Sequence, residues 1–332
     1  MREKLTHKYD LTIIGGGPVG LFAAYFAGMR NADVAIIESL PQLGGQVAAL
    51  FPEKMVYDVG GIAGIKAKDL IKQQEAQLAL FPPKIFLKTE AQTIETDDDG
   101  DYVITTTQGD LHTRGIIIAI GTGAFAPRRL AFDYDPALET AGYLDYFVQD
   151  LETYRDRDVV IAGGGDSAID WALALAPIAQ HVTLVHRRNQ FRGLESSVTK
   201  LEESPVQIKT PYLISQLATA ADQLVIDLKK VKTDDHEQLR ADKLIVNYGF
   251  TADSRVLRQW GLELAGMKVK VNTQMATNRP RIYAIGDVVT YPGKLDLLAV
   301  GYAEAPIAVA TALQTIYPEK IQPVHSTSLF EH

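Results

Sequence analysis

A glycine run between two apolar segments constrains this chain more than any other feature. Residues 11–38 read LTIIGGGPVGLFAAYFAGMRNADVAIIE. β-Branched and apolar residues lead into GGGPVG at 15–20, a small-residue helical segment follows, and a second apolar run ends at Glu38. Strand, glycine turn, helix and strand, closed by an acid about twenty residues on, make a βαβ unit for a dinucleotide. Gly15 allows the tight turn, Gly17 lets a pyrophosphate approach the backbone, and Gly20 lets the helix pack closely on the strand. Pro18 opens the helix, whose N-terminus offers unpaired amides and a positive dipole end to phosphate. Glu38 is placed to accept hydrogen bonds from both hydroxyls of an unphosphorylated ribose.

The 332 residues suffice for two domains, each with its own core. A formal charge of −8 argues against bulk attraction to nucleic acid or to an anionic membrane. No apolar run approaches the ~20 residues that span a bilayer, and a first strand near Tyr9 leaves no room for a signal peptide, so a cytoplasmic protein is expected. Cysteine is absent. Disulfides, thiolate nucleophiles and thiolate metal sites are excluded with it, so any redox chemistry must run on a bound cofactor.

Beyond Glu38, Gly44-Gly45-Gln46 and Gly60-Gly61 mark turns where backbone can approach a ligand. Gln46 reads equally as a hydrogen-bonding partner of a cofactor ring or as a solvated amide, and Phe51 as a stacking face for a flat ring or as core. Residues 66–80 have helical periodicity, stopped by Phe81-Pro82-Pro83. Residues 85–120 change to short strands, with an acidic hairpin turn at 97–101. That turn lacks the glycine and the bidentate glutamate of a calcium loop, and no metal site is expected.

A second fingerprint, VVIAGGGDSA, occupies 159–168, with Ala168 where the third glycine stood. Gly163, Gly165, Asp166 and Ser167 form the expected phosphate turn. The following strand, 182–185, runs into His186 at the position matching Glu38, and then into Arg187, Arg188 and Arg192. A carboxylate repels a 2′-phosphate, whereas guanidinium groups bind one with charge-assisted bonds. The second site therefore reads as selective for NADP.

Strands at 206–249 repeat the layout of 85–121, which implies one dinucleotide fold inserted into another. The expected class is α/β with two Rossmann-like three-layer domains: residues 1–122 and 250–332 form the first, residues 123–249 the second, and the crossings lie at 121–126 and 249–253. Near the C-terminus, the 281–287 segment RIYAIGD reads as a strand ending in Gly-Asp, where Asp287 can hold a polyol hydroxyl. A helix is expected to start near Pro306, because proline suits a first turn and breaks a helix interior. His325, in an ordered tail, reads either as cover for an aromatic ring or as solvent-facing.

The two fingerprints, HRRNQFR and AIGDVV resemble the low-molecular-weight thioredoxin reductase layout among two-domain flavoproteins, but the Cys-x-x-Cys of that group is missing ahead of the second fingerprint. LGGQVAALFPEKMVYDVGG, GGGDSAIDWAL and HSTSLF are similar to the thioredoxin-reductase-like ferredoxin/flavodoxin–NADP(+) reductases over the whole chain. The resemblance implies tightly bound, non-covalent FAD in the first site. Glu38, Gln46, Ala91, Phe125, Asp287 and Thr327 would contact it, and Phe51 and His325 would stack on its ring as the catalytic pair, with Phe51 standing where the family commonly has tyrosine.

It further implies electron transfer between NADPH and ferredoxin or flavodoxin, and a homodimer. Domain rotation about the two crossings is expected as part of turnover. An acidic carrier would need a basic dock, for which Lys66, Lys68, Lys72, Arg128 and Arg129 are candidates. Two other readings remain at this point. One is an NADPH-dependent reductase or oxidase of a quinone, oxygen or a small acceptor; the other is a non-catalytic NADP(H)-sensing flavoprotein.

Overall fold

The structure, a computed structural model, describes residues 3–123, 127–250 and 254–320. These residues form two compact units. The first takes the chain through Ala49, then Val56–Gly123 and the stretch from Ser254; the second takes Leu50–Met55 and residues 127–250.

In the first unit, strand Glu3–Ile14 lies at the centre of a seven-stranded sheet, parallel to Val34–Ile37 on one side and to Gly109–Ile118 on the other. Lys84–Phe86 extends the parallel part beyond Val34–Ile37, and Ile282–Ala284 pairs in parallel with Gly109–Ile118. Tyr102–Thr106 and Ala91–Thr96 continue from Gly109–Ile118 as an antiparallel ribbon. Both faces of the parallel strands are buried, which explains their unbroken apolar runs. Alternation divides them: Leu11, Ile13, Ile36 and Ile117 pack against helices, while Ile14, Ile37, Ile116 and Ile118 pack on the antiparallel side with Ile94, Ile104 and Leu111. Each such side chain contributes roughly 1.5–3 kcal/mol by leaving water.

The helical layer consists of Pro18–Met29, Ala67–Leu78 and Leu298–Ile316. Two expectations are corrected here. The first strand starts at Glu3 rather than near Tyr9, with an irregular register between Lys4 and Lys8. The last helix starts at Leu298, so Pro306 lies in its interior. Gly301, Ala305, Ala308 and Ala312 are buried along one face of that helix, and close packing of this small-residue face outweighs the hydrogen bond that proline removes.

The second unit repeats the plan. Its parallel sheet has the order Gln207–Lys209, His181–Val185, Asp158–Ala162, Lys243–Val246, Leu144–Asp145. Helix Asp166–Leu175 covers one face, where Trp171 and Leu175 meet Ile161, Leu184 and Ile245. The antiparallel strands Tyr212–Ala220, Gln223–Lys230 and His236–Ala241 cover the other, where Leu224, Ile226 and Leu228 meet Val160, Val185 and Leu244. The class is α/β, built of two Rossmann-like units of three layers each.

Candidate functional site

In the first unit the glycine turn joins Glu3–Ile14 to helix Pro18–Met29. Gly15 has φ +112°, and a Cβ there would lie 2.4 Å from the Ala119 carbonyl oxygen, so only glycine serves. A Cβ on Gly20 would lie 2.0 Å from the Gly15 carbonyl oxygen, which makes Gly20 the point of contact between helix and strand. Gly17 differs: its Cβ position meets nothing nearer than Gly45 Cα at 3.9 Å, and no side chain caps the helix it begins. An open backbone surface at an uncapped N-terminus fits a pyrophosphate.

Glu38 is 4% exposed. Its Oε2 accepts from the Gly16 amide (2.8 Å), and its Oε1 from the Leu40 amide (2.8 Å) and the Ser39 hydroxyl (3.2 Å). Backbone donors thus orient the carboxylate against the turn, and Oε2 keeps acceptor capacity for a ribose hydroxyl. Gln46, on the short helix Gly45–Leu50, donates to the Thr122 hydroxyl at 3.1 Å. Ala91 is buried at the start of Ala91–Thr96. Asp287 sits on the 3-10 turn Gly286–Val288, and its carboxyl is pushed above the ordinary 3.8 by burial first, then by Asp296 and Glu304, with Lys294 and Lys268 opposing.

The second unit contains a cavity of about 660 Å³ lined by the Gly163–Gly165 turn, Asp166, Ser167 and the three arginines. A Cβ on Gly165 would meet nothing within 4 Å, and no side chain caps the helix that follows. The arginine loop is tied to this turn. The Arg192 amide donates to the Gly164 carbonyl (2.8 Å), and the Leu194 amide donates to Asp166 Oδ1 (3.1 Å). Asp166 therefore holds the loop that carries the guanidinium groups. Arg187, Arg188 and Arg192 are exposed, and none forms an ion pair with a carboxylate among the described residues.

His186 lies against Gly164, whose Cβ position would be 2.3 Å from the imidazole, and stacks on Phe191 at 5.5 Å. Burial lowers its pKa; a hydrogen bond with the Gln190 backbone opposes this, and the three arginines reinforce it. Two buried polar atoms of cavity-lining residues have no partner, His186 Nε2 and Asn247 Oδ1. Unpartnered polar atoms beside an uncapped helix and three unpaired cations fit a phosphorylated dinucleotide.

The family model for pyridine nucleotide-disulphide oxidoreductases matches residues 9–312. The chain belongs to this pyridine nucleotide-disulphide oxidoreductase family. It is 55% identical over 323 residues to ferredoxin–NADP reductase 2 of Latilactobacillus sakei, covering 97% of this chain and 98% of the relative. It is 48% identical over 334 residues to ferredoxin–NADP reductase 2 of Listeria innocua, covering all of both chains. Its fold is similar to the thioredoxin reductase of T. acidophilum, with TM-score 0.80 at 20% identity over 92% of this chain and 97% of that one. The thioredoxin reductase of Lactococcus lactis gives TM-score 0.80 at 23% identity over 93% and 99%. The chain itself has no cysteine with which to form a disulphide.

Phe51 belongs to the second unit's cavity, edge-on to Phe250 at 5.8 Å, while Lys54 on the same segment pairs with Asp170 at 2.9 Å. Phe125, His325 and Thr327 lie outside the described residues, as do parts of both expected crossings. Among the docking candidates, Arg129 bonds Glu139 and Tyr134, Lys72 pairs with Asp69 one helical turn away, and Arg128 lines the cavity beside Arg129. Gly45, marked in the sequence by its glycine pair, faces Gly17. Sequence reasoning missed Asn247: nothing local marks it, and it reaches the second glycine turn through sheet pairing.

Proposed function

We propose that this chain carries electrons between NADPH and a one-electron protein carrier, as a ferredoxin–NADP reductase. The observation that carries the reading is the pairing of two open glycine turns with opposite charge behind them: Glu38 in the first unit, and Arg187, Arg188 and Arg192 in the second. The protein is an FAD- and NADP-dependent oxidoreductase, and it works without a cysteine pair. FAD, when bound, accepts a hydride from nicotinamide and releases electrons singly.

The chain's own residues bind and orient. The Gly17 surface and helix Pro18–Met29 receive a pyrophosphate, Glu38 accepts from the unphosphorylated ribose, and Asp287 takes a polyol hydroxyl. Gln46 and Ala91 belong with the same site, as do Phe125 and Thr327. Phe51 and His325 supply flat faces for the reacting rings, which must stand about 3–3.5 Å apart for transfer. In the second unit the Gly165 surface and Ser167 receive the other pyrophosphate while the three arginines hold the 2′-phosphate; Asp166 positions their loop. No general acid or nucleophile is required of the protein.

The domain division follows: residues 1–122 and 250–332 hold FAD, and residues 123–249 hold NADP. The carrier is ferredoxin, with flavodoxin as a second acceptor. The protein acts in the cytoplasm as a homodimer; no helix among the described residues is long and apolar enough to cross a membrane. Anaerobic NADPH titration followed by addition of ferredoxin or flavodoxin tests the whole path. The expected result is a flavin spectrum that bleaches with NADPH and recovers as carrier is reduced. A bleached flavin that ignores both carriers would move the function to a small acceptor.

A further inference from the structure

An ion pair is buried in the first unit beside Asp287. Lys294 Nζ lies 2.6 Å from Glu304 Oε1, and the two side chains are 4% and 2% exposed. The same carboxylate accepts from the Tyr291 hydroxyl at 2.7 Å and, through Oε2, from the Gly286 amide at 2.6 Å. Taking both charges out of water is costly, and it is offset only where geometry is good and further hydrogen bonds satisfy the remaining lone pairs. Here three donors converge on one carboxylate.

The Gly286 amide links this pair to the site. Gly286 begins the 3-10 turn that carries Asp287 and has φ +78°. Glu304 therefore anchors that turn from the last helix. Gly301, three residues earlier on the helix, abuts Val19: a Cβ there would lie 2.5 Å from Val19 Cγ2, and one on Gly286 would lie 3.6 Å from the same side chain. The start of the phosphate-facing helix, the Asp287 turn and the last helix thus meet at one point, with the Glu304 carboxylate setting their spacing. Lys268, the other cation that faces Asp287, is already held by Asp296 at 2.6 and 2.7 Å.

We propose that the Glu304–Lys294 pair is a positioning clamp: it holds the Gly286–Asp287 turn where the Asp287 carboxyl can bind the polyol chain of FAD. The clamp rests on the reading of Asp287 as an FAD contact. Glu304 and Lys294 act through Gly286 and Tyr291, and Lys294 is the direct partner of the buried carboxylate.

The test measures FAD affinity of apoprotein by flavin fluorescence quenching, alongside apoprotein melting and the visible circular dichroism of bound flavin. Glu304→Ala is expected to weaken FAD by at least about tenfold and to change the flavin dichroism. Glu304→Gln, which keeps an acceptor for the Gly286 amide, should recover part of that affinity. If the single variants fail to fold, Glu304→Leu combined with Lys294→Met removes both buried charges together with the acceptor of the Gly286 amide, and carries the same expectation as Glu304→Ala. FAD affinity within about threefold of wild type in folded Glu304→Ala, or in the double variant, overturns the clamp even if melting falls, because the pair would then serve stability alone. Asp287→Ala reports separately on the underlying reading. Wild-type FAD affinity in that variant removes Asp287 from the site, and the clamp with it.

Discussion

Gly20 and Gly165 are both glycines of a dinucleotide turn, yet the structure assigns them opposite sensitivities. A methyl on Gly20 would meet the Gly15 carbonyl at 2.0 Å, so Gly20→Ala is expected to cost more than about 3 kcal/mol and to appear as lost soluble protein or a low melting temperature. Gly165 has extended backbone (φ −100°, ψ −179°) and free space at its Cβ position. Gly165→Val should therefore cost less than about 1 kcal/mol in stability while raising the NADPH Michaelis constant at least about tenfold. Arg187→Ala with Arg188→Ala should raise that constant by roughly 10–100-fold, leave saturated turnover near wild type and narrow the preference for NADPH over NADH. An unchanged preference would show that the arginines read something else. Asp287 has a raised carboxyl pKa, so the folded chain holds that proton more tightly than the unfolded chain does. Its favourable contribution is complete below the ordinary 3.8 and is lost as pH rises through the folded value, leaving a cost at neutral pH. Apoprotein carrying Asp287→Asn should accordingly melt higher than wild type at pH 7, with the difference closing below pH 3.8.

At the scale of the element, the last helix shows tertiary packing overriding a local signal. Proline in a helix interior removes one hydrogen bond and crowds the preceding turn, yet Leu298–Ile316 continues through Pro306. Its first amides are held from outside: Leu298 donates to Asp58 Oδ2 (2.7 Å), and Ala299 to the Asp58 carbonyl (3.1 Å). With the start anchored and a small-residue face buried, Pro306→Ala should raise the melting temperature, the gain being about 1 kcal/mol or more. A lower melting temperature would mean that the proline ring itself is needed for packing. The arginine loop is the converse case, because Arg192 is placed by backbone bonds to the glycine turn and not by its own side chain. Its position was therefore legible in the spacing of HRRNQFR.

For the whole molecule, the formal charge of −8 sets the problem of meeting an acidic carrier. If association depends on a local basic surface, carrier reduction should slow steeply as salt rises, while NADPH oxidation by a small uncharged dye barely changes. Equal responses in the two assays would place the carrier contact elsewhere. The amino-acid sequence by itself determined the two βαβ units, their three-layer class and the acid-versus-arginine contrast between them. Each of these is a short-range pattern, in which turn geometry and strand alternation force residue types at fixed spacings. Only the tertiary structure decided that Gly45 faces Gly17, that Asn247 and Phe51 join the second cavity, and that Lys294 and Glu304 bury a charge pair beneath Asp287. These contacts join segments with no common period, and they exist because close-packed layers bring distant residues to one point.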